Sequence, residues 1–436
     1  MLKIGVGAGF SGDRFEPAKV LLEKASLDYL ILECLAERTI AIAQQEKMNN
    51  ENKGYDPLLE RRIRDLLPLL KKHKVRMITN MGAANPRAGA EKIIEISKEL
   101  GIDCKVAVVI GDNVLDELDL DKRDLENQCK LSSYNSLISA NAYLGIDALL
   151  PALESDADII ITGRVADPSL FLAPQVYHYN WSLNDYKKLG QGTIIGHLLE
   201  CAGQVTGGYF ADVHKKTVPN LENIGFPYAK ILADGKAIIT KVKGTGGVID
   251  SRTIKEQLLY EIHNPKEYIT PDTIADLSTV KIKGIEKDQV EISNGSGRKR
   301  TDYLKVSVSY HAGYNSVGEI SYAGKDALER AKLAGSIIKK RLKDKIEELQ
   351  IDYIGLSSLH GNLFYKETKP YEVRLRVSGK HPLKHIARLV GEEVEALYLN
   401  GPAGGGGARK YLNESIGVVS TLINREKVNS EVELLD

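Results

Sequence analysis

Arg164 and Asp167 are the charged pair in this chain best placed for chemistry. They stand just after Ile159, Ile160, Ile161 and Thr162, an apolar and β-branched run suited to a strand buried on both faces. Gly163 closes the run and Pro168-Ser169 opens a helix. In an open α/β sheet the ligand crevice lies beyond the carboxyl ends of the strands. A guanidinium there can hold a carboxylate, and a carboxylate beside it can carry a proton. The bland alternative is an ion pair that pins a loop. Glu33 ends another strand-like run that starts at Asp28 and is apolar from Tyr29 to Leu32, where a carboxylate is costly unless paired or used. Glu33, Arg164 and Asp167 are therefore the predicted catalytic residues.

Other strand ends carry polar residues of the kind that hold a ligand. Gly9-Phe-Ser-Gly-Asp-Arg14 lies between a strand over 3–8 and a helix beginning at Pro17, so Gly9, Ser11, Gly12, Asp13 and Arg14 form a predicted anion cradle. Asn80, Gly82 and Asn85 follow a strand from Val75, and Asp112 follows one from Cys104. With Gly163 these make the predicted ligand-binding set. Turn chemistry explains any one of them alone; several on one rim point to a polar ligand site. Gly7, Gly9 and Gly12 match the dinucleotide-binding spacing in one frame, with Glu33 about 20 residues on, a weak signal for nicotinamide. His197 and Glu200, three apart on a helix, can relay protons or bind a metal, though a hydrogen bond between neighbours is the commoner outcome.

The elements that must position these residues alternate as strand and helix through residue 162, which implies a parallel, Rossmann-like sheet with flanking helices. A helix is expected over 56–74, bent or ended by Pro68, and others over 88–100 and 136–155. The sheet is expected to be open, since eight βα units are not visible. Residues 1–227 form the predicted α/β domain. Residues 228–436 show short strands and long helices and form a predicted smaller α+β domain of split βαβ type. Asn400-Gly-Pro-Ala-Gly-Gly-Gly-Gly reads as a linker or, with Arg409 beside it, a backbone cradle.

Bulk composition narrows the function classes. Lys+Arg and Asp+Glu are both 59, so the absence of net charge argues against nucleic acid or an anionic membrane as main partner. No apolar run reaches the ~20 residues that span a bilayer, and the N-terminus reads directly into a strand with no signal peptide. Cys34, Cys104, Cys129 and Cys201 are scattered without a CxxC, as expected for reduced thiols in a cytoplasmic protein, and no metal is expected.

Several longer stretches resemble one known family: 7–14 (GAGFSGDR), 32–41 (LECLAERTIA), 78–86 (ITNMGAANP), 162–174 (TGRVADPSLFLAP), 196–212 (GHLLECAGQVTGGYFAD), 256–272 (EQLLYEIHNPKEYITPD) and 401–407 (GPAGGGG). Together they look like the acyclic terpene utilisation family of the AtuA type, and the resemblance runs from residue 3 to about 407. It implies catabolism of branched isoprenoid acids as coenzyme A thioesters, beside acyl-CoA carboxylases and enoyl-CoA hydratases. It carries no reaction over residue by residue. Longer relatives have a further carboxyl-terminal domain that this chain is expected to lack, and the substrate is expected to differ accordingly. The expectation is an enzyme acting on a branched or CoA-linked acyl compound by proton transfer next to a carbonyl. The alternative is a non-catalytic acyl-CoA or nucleotide-binding subunit docking onto an acyl-CoA carboxylase. A small-molecule substrate, no other cofactor and a homo-oligomer complete the expectations.

Overall fold

The computed structural model describes residues 1–361, 363 and 369–436. The chain forms two compact units: Met1–Ser133 with Ile138–Ser309 and Val418–Asp436, and Tyr134–Leu137 with Tyr310–Gly417. The division falls after residue 309 and not at the 227/228 boundary expected above, because the strands after residue 227 join the first sheet instead of starting a second.

The first unit opens with β1 (Leu2–Ala8), α1 (Glu16–Lys24), β2 (Tyr29–Leu32), α2 (Glu37–Asn49), α3 (Leu59–His73), β3 (Arg76–Thr79), α4 (Pro86–Leu100) and β4 (Val106–Ile110). Then come β5 (Leu137–Ala142), α5 (Ile146–Glu154), β6 (Ile159–Thr162), α6 (Asp167–Tyr179) and α7 (Tyr186–Glu200). Five strands lie parallel in the order β1-β2-β3-β6-β4. Every residue of β2 and β6 is buried, as continuous apolar runs in a covered parallel sheet should be. Leu30, Ile31, Ile78, Val108 and Ile160 are part of one continuous core with the helix residues Leu21, Leu66, Ile93 and Phe171.

The sheet is mixed, and in that respect the purely parallel, Rossmann-like expectation is corrected. β7 (Pro227–Ile231), β8 (Ala237–Lys241), β11 (Lys281–Glu286) and β12 (Gln289–Ser293) add antiparallel strands beside β1. The intervening α8 (Ser251–Leu259) begins with a capping box built by Asp250 and Thr253. β9 (Tyr268–Ile269), β10 (Ile274–Asp276) and β13 (Ser296–Arg298) form a separate small sheet. At the other edge β18 (Glu431–Leu435) runs antiparallel to β4. These edge strands are short alternating segments whose partners lie far away in sequence, which periodicity alone cannot reveal.

One helix expectation also changes, and of the two outcomes expected at Pro68 an end to the helix is not the one found. Residues 136–155 contain a strand, β5, before the helix α5, because Ala140 and Ala142 are small enough to read either way. α3 continues through Pro68 to His73.

In the second unit the elements run β14 (Tyr303–Ala323), α9 (Ala327–Leu342), β15 (Leu349–Ile354), β16 (Glu372–His381), α10 (Lys384–Ala387), α11 (Leu389–Asn400) and β17 (Gly406–Asn424), with β14 beginning and β17 ending in the first unit. The strands follow the split βαβ order β15-β16-β14-β17 in a five-stranded sheet in which β5 also pairs β14. Its core joins Ile320, Leu375 and Val377 to Ala334, Ile338 and Val394 of the helices. Gly406 and Gly407 of the glycine run start β17.

Candidate functional site

Two hollows open beyond the carboxyl ends of β1, β2 and β6. The larger, of about 660 Å³, is lined by Gly9, Ser11, Asp13 and Arg14 from the turn after β1, by Glu33 from the end of β2, and by Arg164 and Asp167 from the end of β6. The smaller, of about 420 Å³, is bordered by Tyr143, Pro168, Ile262, Tyr268, Ile269, Leu304 and Leu422, with His197 and Lys305. Glu37, Asp167, Glu200 and Glu261 line both, so the two spaces meet at a wall of carboxyl groups. Both volumes lie in the ~300–1,000 Å³ range of small-molecule sites.

Arg164 is the centre of this arrangement. Its side chain is 1% exposed. One amino group donates to the Leu35 carbonyl and the other to Asp167. Its Nε has no protein partner among the described residues, leaving one buried donor unspent. The guanidinium lies 4.3 Å from the centre of the Tyr143 ring, and Lys305 approaches the same ring at 4.9 Å. Asp112 fixes the backbone behind it: its Oδ2 accepts from Arg164 N and from Asn141 Nδ2, each at 2.9 Å. Gly163 is required there, because a Cβ would stand 2.5 Å from Asp112 Oδ1.

Glu33 is buried at the end of β2, where Oε1 accepts from Leu35 N and Asn80 Nδ2, both at 2.9 Å. Burial pushes its carboxyl well above the ordinary range, and the Asp167 charge adds to the push; Arg164, Asn80 and the Leu35 N–H pull against it. Desolvation also raises Asp167 against the pull of Arg164, though less firmly, since 37% of its side chain faces solvent. Arg164 is desolvated, yet Asp167, Tyr143, Glu33 and Glu37 raise its own pKa, so it keeps its charge. For Glu37 burial alone would raise the carboxyl. The Tyr143 hydroxyl, its own backbone N–H, Arg164 and Lys305 together hold it down at about 2. Carboxyls lining one hollow are thus split into ones that favour their proton, Glu33 and Asp167, and one that does not, Glu37, the pattern of an acid–base site.

The remaining predicted residues have different places. Asn80 stands behind Glu33 and also accepts from Cys34 N at 2.7 Å. Asn85 caps α4 and donates to the carbonyls of Glu51 and Lys53. A Cβ on Gly82 would meet Thr162 O at 2.5 Å, so that glycine serves strand-to-helix packing. Gly12 packs on Phe10, and Gly9 on the Cys201–Ala202 backbone. The turn after β1 already holds an anion of its own: Asp13 accepts from Gly9 N at 2.9 Å and from Arg14 N at 2.8 Å. Buried Arg62 ties down the Ser11 and Asp13 carbonyls, each at 2.9 Å.

Sequence reasoning missed Glu37, Tyr143, Glu261, Tyr268 and Lys305 and named His197 and Glu200 without a site. Glu37 reads as a solvated helix-start charge, and Tyr143 sits in the segment read as helix. Beyond the strand ends, the His197–Glu200 spacing is the one further signal in the sequence that points here. Among the described residues no group of three or more His, Cys, Asp and Glu side chains is arranged to hold a metal.

A family model described as "Acyclic terpene utilisation family protein AtuA" matches residues 2–434. No curated protein and no solved structure matches the chain.

Proposed function

The chain belongs to the acyclic terpene utilisation (AtuA) family, and from that premise we propose that it is an enzyme of branched-chain or isoprenoid acyl-CoA catabolism that works by proton transfer next to a carbonyl, as a hydratase, isomerase or lyase. The observation that carries the reading is the meeting of Glu33, Arg164 and Asp167 on one hollow, with a spare buried donor on Arg164. Arg164 holds the thioester or carboxylate oxygen and stabilises the negative charge that develops there. Glu33, which favours its proton, delivers it. Asp167 keeps the guanidinium in place and is the other carboxyl within reach of the substrate.

The apolar border of the smaller hollow supports a hydrocarbon substituent. Ile269, Tyr303 and Leu422 leave 57%, 48% and 39% of their surface exposed around it. The larger hollow supports only the acyl end of a coenzyme A thioester. Arg14 and Arg164 face more carboxyl groups than cations there, and the turn after β1 spends its N–H groups on Asp13. The phosphates accordingly stay outside.

The same reading places the protein in the cytoplasm, supported by its four free cysteines. No helix among the described residues is long and apolar enough to cross a membrane. A homo-oligomer, and association with an acyl-CoA carboxylase, belong to the reading and are checked by sedimentation alone and with carboxylase subunits.

The test is turnover of a panel of branched saturated and unsaturated acyl-CoAs by the isolated chain, followed by mass spectrometry. Product that disappears in Glu33→Gln and Arg164→Lys supports the enzyme. Saturable binding without product supports a binding subunit instead.

A further inference from the structure

We propose that Glu200 is a second acid–base group of this site, moving a proton on the ligand where the two hollows meet, with His197 as its positioning residue. This rests on the reading of the preceding subsection and deepens it, since a double-bond shift needs one group to take a proton and another to give one. Glu200 is the last residue of α7, a helix buried without interruption from Leu189 to Glu200, so its side chain has little freedom to relax. It lines both hollows, and only 8% of the residue is exposed. Its Oε1 lies 2.7 Å from His197 Nδ1, while its Oε2 is buried with no protein partner among the described residues. A carboxyl oriented on one oxygen and unpaired on the other is costly in a folded chain unless a ligand completes it.

His197 is itself held in register. Gln257 Nε2 donates to its carbonyl at 3.1 Å, and the Tyr268 ring packs at 5.4 Å, tilted, on the imidazole. Each element packed around Glu200 brings an ionisable group: Asp167 from α6, Glu261 beyond α8, Tyr268 from β9, and His197 and Cys201 along its own chain. Burial pushes Glu200 up to about 7, against the pull of His197 and with the help of Asp167 and Glu261. The imidazole, which burial alone would lower, is raised by the Glu200 charge and hydrogen bond. The pair therefore changes its proton count near neutrality, where a general base is most effective.

For a β,γ-unsaturated acyl thioester the step balances without a further reactant. The Glu200 carboxylate takes the proton from the carbon beside the carbonyl. The C–H electron pair becomes a new carbon–carbon π bond as the carbonyl π pair moves onto the oxygen facing Arg164. That oxygen then re-forms the carbonyl, the double bond shifts, and the far carbon takes the proton of the Glu33 carboxyl. Exchange with water returns the proton from Glu200 and restores Glu33.

The test uses the full chain with 3-methylbut-3-enoyl-coenzyme A in deuterium oxide, read by NMR. Glu200→Gln is expected to slow deuterium entry beside the carbonyl by at least about a hundredfold, with the thioester's affinity kept within about threefold. Glu200→Asp restores part of the rate. His197→Asn shifts the pH of half-maximal exchange, which a purely structural role would leave in place. Exchange in a folded Glu200→Gln chain at the wild-type rate, while Glu33→Gln and Arg164→Lys still lose turnover, overturns the role of Glu200 alone. A wild-type chain that exchanges nothing and turns over nothing overturns the underlying reading together with it.

Discussion

Two of the molecule's Arg–Asp pairs look alike on paper and differ in how their arginine is housed. Arg376 of β16 meets Asp352 of β15 through Nε at 3.1 Å and Nη2 at 2.8 Å, on a sheet face where the guanidinium is 37% exposed. Arg164 meets Asp167 with its side chain 1% exposed, over a tyrosine ring, beside a hollow, and with an unpaired donor. In the first pair the guanidinium is the solvated partner and Asp352 the buried one; in the second the guanidinium is buried and Asp167 is 37% exposed. The second sits in a setting that raises the carboxyls of Glu33 and Asp167 alike. Burial and unspent hydrogen-bonding capacity, more than the ion pair itself, mark the second as a place for chemistry.

The contrast can be broken most forcefully through stability. Removing Arg164 leaves Glu33 and Asp167 without their cation, so Arg164→Ala should cost about 3–5 kcal/mol, whereas Arg376→Ala, which takes a partly exposed cation from the buried Asp352, should cost about 1–3 kcal/mol; urea unfolding monitored by circular dichroism compares them. Arg164→Lys keeps the charge and loses the planar fork, and should lower turnover by about a hundred- to a thousandfold in a steady-state assay.

A smaller effect sharpens the same contrast through pH. Folding raises Glu200 from the ordinary carboxylate value to about 7, so its contribution to stability is present below that ordinary value and fades as pH rises through about 7. Glu33 and His197, also raised, act in the same direction. Wild-type unfolding midpoints should therefore fall between about pH 5 and 8, and Glu200→Gln should flatten that fall. The smallest expected change is Arg376→Lys, whose turnover should stay within about twofold of the parent.

Much of the site was legible because strand ends announce themselves. The run 159–162 followed by Gly163 and Arg164, and the run ending at Glu33, place their polar tips on one hollow. Asn85 and Gly82 share the same signature and serve a helix cap and a close packing contact, a difference that only the neighbours Lys53 and Thr162 reveal. The parallel half of the sheet follows from its continuous apolar runs. Its antiparallel edges do not, since β7, β8, β11, β12 and β18 are short and reach β1 and β4 from remote sequence. Tyr143 and Lys305 reach the site through β5 and β14, and nothing local to either residue points at Arg164.

The most direct trial of the central claim is a crystal structure of the chain soaked with a branched enoyl thioester. Density is expected in the larger hollow, with the carbonyl oxygen within hydrogen-bonding reach of the Arg164 guanidinium and the acyl carbons beside Glu33. A thioester bound at any other surface, with water alone against Arg164, would contradict it.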